Sequence, residues 1–186
     1  SALEMKEAGY SALELKEVGY TARKLREAGF SLLEFFQWIW EADMALEIDK
    51  RHTALLAMDY ENDIVHPEGA FKDFGFAQMV ADNDVLDKTA QLLVAARGAG
   101  ITVIYASVKF RAGYPERPAN GGLFQGLHGT NALVEGTWGA QIHDRVSPLA
   151  NEAVVSKRGV SAFTASDLDQ ILRTGRIGTL ILAGVA

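Results

Sequence analysis

One stretch narrows the choice of fold more than any other: residues 53–63, Thr-Ala-Leu-Leu-Ala-Met-Asp-Tyr-Glu-Asn-Asp. After Thr53, apolar residues run without alternation and stop at Asp59. A strand with one wet face alternates apolar and polar side chains. An unbroken run suits a strand covered on both faces, as in a parallel sheet between helices. Asp59 would then stand at the carboxyl end of that strand, where open α/β sheets place their ligands. The plainer alternative, that Asp59 only caps the next turn, stays open on the pattern alone.

Later segments supply partners for this strand. In residues 84–97, Val85, Leu86, Ala90, Leu93 and Val94 mark one helical face, and Gly98-Ala-Gly100 stops the helix. Residues 101–108, Ile-Thr-Val-Ile-Tyr-Ala-Ser-Val, form a second strand. The span 53–108 is therefore a βαβ unit, which implies a right-handed crossover and a parallel sheet. A third strand is expected over 153–156 with Lys157 just past its end, a helix over 167–172, and a fourth strand over 179–184. Residues 109–135 form a long loop holding Arg111, Tyr114, Arg117 and His128. Loops of this length often wall an active site. The mixture suits a polar or anionic small molecule, although a solvent-facing excursion would look much the same.

Residues 1–30 are built differently, as three copies of a ten-residue unit beginning Ser-Ala-Leu-Glu-Met-Lys-Glu-Ala-Gly-Tyr. Ser1 and Ser11 precede Glu4 and Glu14 at the capping-box spacing that opens a helix, whereas Thr21 is followed by Lys24 and keeps only half of that device. Gly9, Gly19 and Gly29 suit the left-handed position that closes a helix, with Tyr10, Tyr20 and Phe30 folding back against it. A helix this short does not stand alone, so the copies are expected to stack, with Leu3, Met5, Tyr10, Leu13, Leu15, Tyr20, Leu25 and Phe30 as the buried side. Residues 31–50 continue as an amphipathic aromatic helix and linker, with Trp38 and Trp40 suited to docking against the main domain or a second subunit. The expected domains are thus 1–30, 31–50 and 51–186.

A net charge of -6 argues against nucleic acid, because no Lys/Arg stripe is present to neutralise phosphates. No stretch is apolar for long enough to span a membrane. With no cysteine in the 186 residues, disulfides, thiolate metal sites and a thiol nucleophile are excluded from them. His66, His128 and His143 are too scattered for a metal site, so neither metal nor cofactor is expected. The default is a cytoplasmic protein that takes a small molecule and forms a homo-oligomer.

In a parallel sheet, Asp59 and Lys157 would emerge at strand ends that converge on one crevice. A carboxylate there can orient a nucleophile or accept its proton, and an ammonium can balance developing negative charge. Spacing alone is equally consistent with a structural salt bridge.

Four phrases together resemble the isochorismatase-like hydrolase family: Asp59 after its apolar strand, Gly136-Thr-Trp-Gly139, Lys157 with Ser161-Ala162-Phe163, and Leu180-Ile-Leu-Ala-Gly-Val185. The resemblance runs over residues 53–186 and leaves the repeats outside. It implies a three-layer α/β sandwich around a parallel sheet, and hydrolysis of a small amide or ester-like substrate by an Asp, a Lys and a Cys. Asp59 matches the aspartate that takes the thiol proton, and Lys157 matches the lysine. The resemblance places the cysteine a few residues beyond Ala186, with further strands of the sheet, so the matching stretch is the amino-terminal two thirds of such a domain. Glu61 departs from the family, which usually has glutamine there. Glu61, Arg111, Tyr114, Arg117, Trp138 and Phe163 are the expected pocket residues. A catalytically inactive relative that binds a small molecule or serves assembly is the alternative.

Overall fold

The computed structural model describes residues 1–11, 14–15, 19–31, 48–116 and 125–185. The chain divides into two compact units, Ser1–Glu47 and Ile48–Ala186.

In the first unit, helices α1 (Ala2–Glu7) and α2 (Ala22–Glu27) come from the first and third repeats. Ser1 and Glu4 form the reciprocal capping box, and Ser11 and Glu14 repeat it. Thr21 caps α2 from one side only, because Lys24 has no acceptor to return. Gly9, Gly19 and Gly29 all take positive φ, so the turn after each helix uses the conformation that glycine alone adopts without strain. Leu15 and Leu25 are completely buried with Phe30. Lys6 donates to the Gly29 carbonyl and lies over the Phe30 ring, tying the first copy to the third. Leu3 and Tyr10, expected inside, are exposed. The expected aromatic helix falls on residues 32–47, outside the described residues.

The second unit holds a four-stranded parallel sheet in the order β3-β2-β1-β4: β1 (Thr53–Met58), β2 (Thr102–Val108), β3 (Ala153–Lys157) and β4 (Thr179–Gly184). Each neighbouring pair is parallel. The reason β1 shows no alternation is visible in its packing. Leu55 and Ala57 join one core with Val103 and Tyr105, while Ala54 and Leu56 join a second with Ile104 and Ala106. Both faces are dry. The first is covered by α3 (Asn62–Val65), α4 (Phe76–Asp82) and α5 (Val85–Gly98), through Ile64, Val65, Val80, Leu93 and Ala96. The second is covered by α6 (Leu168–Thr174), through Leu168 and Leu172. Burying one such leucine contributes about 2 kcal/mol.

Two polar contacts anchor α5 to its surroundings. The Tyr60 hydroxyl meets the Thr89 hydroxyl at 2.8 Å in the interior. Arg97 grips both Glu152 carboxylate oxygens at 2.8 Å, holding the end of α5 to the approach of β3. No helix among the described residues is long and apolar enough to cross a membrane.

Candidate active site

Asp59 follows β1 directly and turns sharply out of it, with φ at +62°. Lys157 is the last residue of β3, one place further inside the strand than the sequence pattern indicates. Two strands separated by β2 thus deliver a carboxylate and an ammonium to the same end of the sheet. Both side chains are buried. Lys157 Nζ lies 2.9 Å from each Asp59 oxygen, in hydrogen-bonding direction only toward Oδ2, and it also donates to the Val160 carbonyl at 2.9 Å. Oδ1 therefore feels the charge while lacking a hydrogen-bond donor. Burial pushes the Asp59 carboxyl above its ordinary range, and the Lys157 ammonium pulls part of that back. A base with raised proton affinity, held next to a cation and short of one donor, is suited to accepting a proton.

The segment after Asp59 is fixed by a strap formed by residues 139–143. His143 N donates to the Tyr60 carbonyl at 2.9 Å, Asn62 N to Gln141 O at 2.8 Å, and Asp63 N to Gly139 O at 2.9 Å. Glu61 pairs with Ile142 at the centre of the strap. The Asn62 side-chain amide donates to the Trp138 carbonyl at 2.9 Å. Asp63 completes the frame by accepting from Leu133 N at 2.7 Å and Ala70 N at 3.0 Å. Gly139 is required where it stands: a β-carbon would fall 2.1 Å from the Asp63 carboxylate.

The expected pocket residues separate into distinct environments. Glu61 is wholly buried behind Asp59 and accepts from Val108 N at 2.5 Å. Burial raises its carboxyl to about 7, and the charge of Asp59 adds to the rise while the Ser107 hydroxyl and the Val108 amide oppose it. Tyr114 lies in the core, donating to the Ala132 carbonyl at 2.9 Å, and presents no free hydroxyl. Arg111 is exposed beside Glu116, its Nη1 at 3.8 Å. Trp138 and Phe163 each expose about half of their surface. The Trp138 ring meets His66 edge-on, with ring centres 5.0 Å apart. Arg117 lies outside the described residues. A cleft of about 510 Å³ opens against α4, α5, His143 and Arg145 and includes neither Asp59 nor Lys157. Asp63, Ser107 and the Val160 carbonyl belong to the frame of the site without having been singled out by the sequence.

An open parallel sheet carrying a carboxylate and an ammonium at two strand ends on one side defines the class of α/β proteins that take small molecules beyond those ends. Within that class, the chain belongs to the isochorismatase family, whose domain matches residues 53–186. Among similar proteins, the ureidoacrylate amidohydrolase RutB of Methylorubrum extorquens is 28% identical over 155 residues, covering 76% of this chain and 61% of its own. RutB of Stutzerimonas stutzeri is 30% identical with the same coverage. The chain spans about three-fifths of the length of these curated relatives. In fold it is similar to a cysteine hydrolase from Pseudomonas syringae pv. phaseolicola, with a TM-score of 0.64 at 24% identity over 75% of this chain and 62% of that one. It is also similar to an isochorismatase family protein from Desulfovibrio vulgaris, with a TM-score of 0.58 at 29% identity over 72% and 67%. An N-carbamoylsarcosine amidase from Thermoplasma acidophilum shares the fold, with a TM-score of 0.55 at 23% identity over 71% and 66%.

Proposed function

We propose that residues 48–186 form the core of a hydrolase that cleaves the carbon–nitrogen bond of a small amide. The observation that carries this reading is the buried Asp59–Lys157 pair at 2.9 Å, set at two strand ends in a family whose relatives include amidohydrolases. In this reading Asp59 takes the proton of the nucleophile, and Lys157 holds the carboxylate in place and balances the charge as it moves. The nucleophile is a thiol supplied from outside these 186 residues, which contain no cysteine. Its sulfur attacks the carbonyl carbon, the amine leaves with the proton that Asp59 accepted, and water then releases the acid from the thioester. Trp138 and Phe163, half exposed, are the candidates among the described residues for packing against the substrate.

In a second reading the buried Asp59–Lys157 pair serves as a binding frame, and the site holds a small amide or carbamoyl compound without turning it over. One experiment addresses both. The gene product is offered a panel of small amides and ureido acids, with ammonia release and calorimetric binding followed in parallel. The hydrolase reading expects turnover that falls by about 100-fold or more in Asp59→Asn and in Lys157→Met, with folding retained by circular dichroism. Binding without turnover supports the second reading. Turnover indifferent to both substitutions overturns the assignment of Asp59 and Lys157.

A further inference from the structure

Asp59, Glu61 and Lys157 are buried together at this end of the sheet, and Lys157 is the one cation of the three. It is committed to Asp59 and to the Val160 carbonyl. Glu61 has no cation within salt-bridge distance among the described residues. Its Oε1 accepts from Val108 N, its Oε2 meets no donor, and the buried Ser107 hydroxyl likewise has no partner in hydrogen-bond geometry. That hydroxyl nonetheless lies close enough to draw the Glu61 proton affinity down, so the two orphaned oxygens belong to one locality.

Glu61 is approached from its own segment, from β2, from β3 and from the strap. Along its own segment the charged neighbour is Asp59, while Asp63 is occupied by the Leu133 and Ala70 amides. From β2 come the Ser107 hydroxyl and the Val108 amide, and from β3 the Lys157 ammonium, in register with Val108. From the strap comes the backbone of Ile142, with His143 the next titratable residue along it. Nothing in this set compensates a second negative charge. A buried carboxylate with one donor and no counter-ion is disfavoured against its neutral acid.

We propose that Glu61 is a positioning residue that holds a proton: in the resting site it is a neutral carboxylic acid, and losing that proton raises the proton affinity of Asp59. Asp59 and Glu61 thus share one negative charge opposite Lys157. In the acid form, Glu61 keeps its bond to Val108 and leaves the whole attraction of Lys157 to Asp59. The coupling exists with or without a nucleophile, so it does not depend on the hydrolase reading.

The test is a carboxyl titration of the 186-residue chain by ¹³C NMR, with Asp and Glu side chains labelled, from about pH 4 to about pH 9. The expected result is a glutamate carboxyl that titrates near neutrality and disappears in Glu61→Gln. In that variant Asp59 titrates as in the parent, because Glu61 already holds its proton over the range in which Asp59 ionises. The coupling is read from the other side: Asp59→Asn lowers the Glu61 midpoint by about one pH unit. Ser107→Ala raises it. If every glutamate titrates in the ordinary acidic range, or if the Glu61 midpoint in Asp59→Asn coincides with that of the parent, the proposal is wrong. Should Glu61→Gln fail to fold, the parent and Ser107→Ala titrations decide alone. Neither depends on substrate, so a silent amide panel leaves this result intact, and the reverse holds too.

Discussion

Asp59 occupies the left-handed backbone region, with φ at +62°, which costs a residue bearing a β-carbon about 1 kcal/mol. The strain is tolerated because it directs the carboxylate to Lys157 rather than along the strand. Removing one partner of such a buried pair leaves the other charged and unpaired. Lys157→Met should lower the stability of the chain by about 3–5 kcal/mol in urea denaturation, and adding Asp59→Asn should restore much of the loss. Glu61 gives a pH dependence whose sign follows from its raised folded value. Its ordinary value is 4.5 and its folded value about 7. Below the unfolded value both states hold the proton and the contribution is full. As pH rises from the unfolded to the folded value, the unfolded chain ionises this carboxyl while the native chain keeps its proton, and the contribution is lost by the time the folded value is passed. The shift corresponds to on the order of 3 kcal/mol. Melting temperature should therefore fall between about pH 4.5 and pH 7, and Glu61→Gln should flatten much of that fall. Asp59, raised in the same direction, adds to it. At this scale the sequence exposes Asp59 and Lys157 because both terminate apolar runs. Ser107 and Asp63 are hidden, since a polar residue near a strand end is common and the amide that Asp63 holds on Leu133 lies 70 positions away.

Elements are legible in proportion to the continuity of their apolar pattern. β1, β2, α5 and β4 are long enough, and sharply enough stopped by glycine or a charge, to declare themselves. Helix α4 is not, because Phe71, Phe74 and Phe76 follow no helical period. They form a ring cluster instead, with Phe74 largely exposed and stacked on Phe76. The strap has no signature as an element, since its hydrogen bonds run to the segment after β1 and not to a neighbour in sequence. Its dependence on Gly139 is open to test. In Gly139→Ala the new methyl displaces the Asp63 carboxylate, leaving the Leu133 and Ala70 amides without their acceptor. The expected loss is about 2 kcal/mol or more, read as a lower urea midpoint with an unchanged slope. Gly136→Ala also meets strain, at φ +82°, but finds open space, so it should cost less than Gly139→Ala.

At the scale of the whole molecule, the sheet order puts β1 between β2 and β4, which explains why the strand that carries Asp59 is the most uniformly buried. β4 differs. Its one strand neighbour among the described residues is β1, and its side chains are only partly covered. Leu182 lies opposite Leu56 in register and so on the face packed by α6, yet it remains 62% exposed, while Leu180 on the same face reaches that core. An open strand edge beside an uncovered leucine is a template for pairing with another chain. A net charge of -6 opposes such contact only weakly at physiological salt, where exposed charges are screened within about 8 Å. The 186-residue chain should therefore self-associate with rising concentration in sedimentation velocity, and Leu182→Lys should suppress this by placing a charge on the face beside the edge. Leu182 is mostly in water already, so the substitution should move the stability read from urea denaturation by no more than about 0.5 kcal/mol. An unchanged sedimentation profile would mean that association, if present, uses another surface. A large loss of stability would mean that Leu182 is buried in solution, against a neighbour that the strand edge itself recruits.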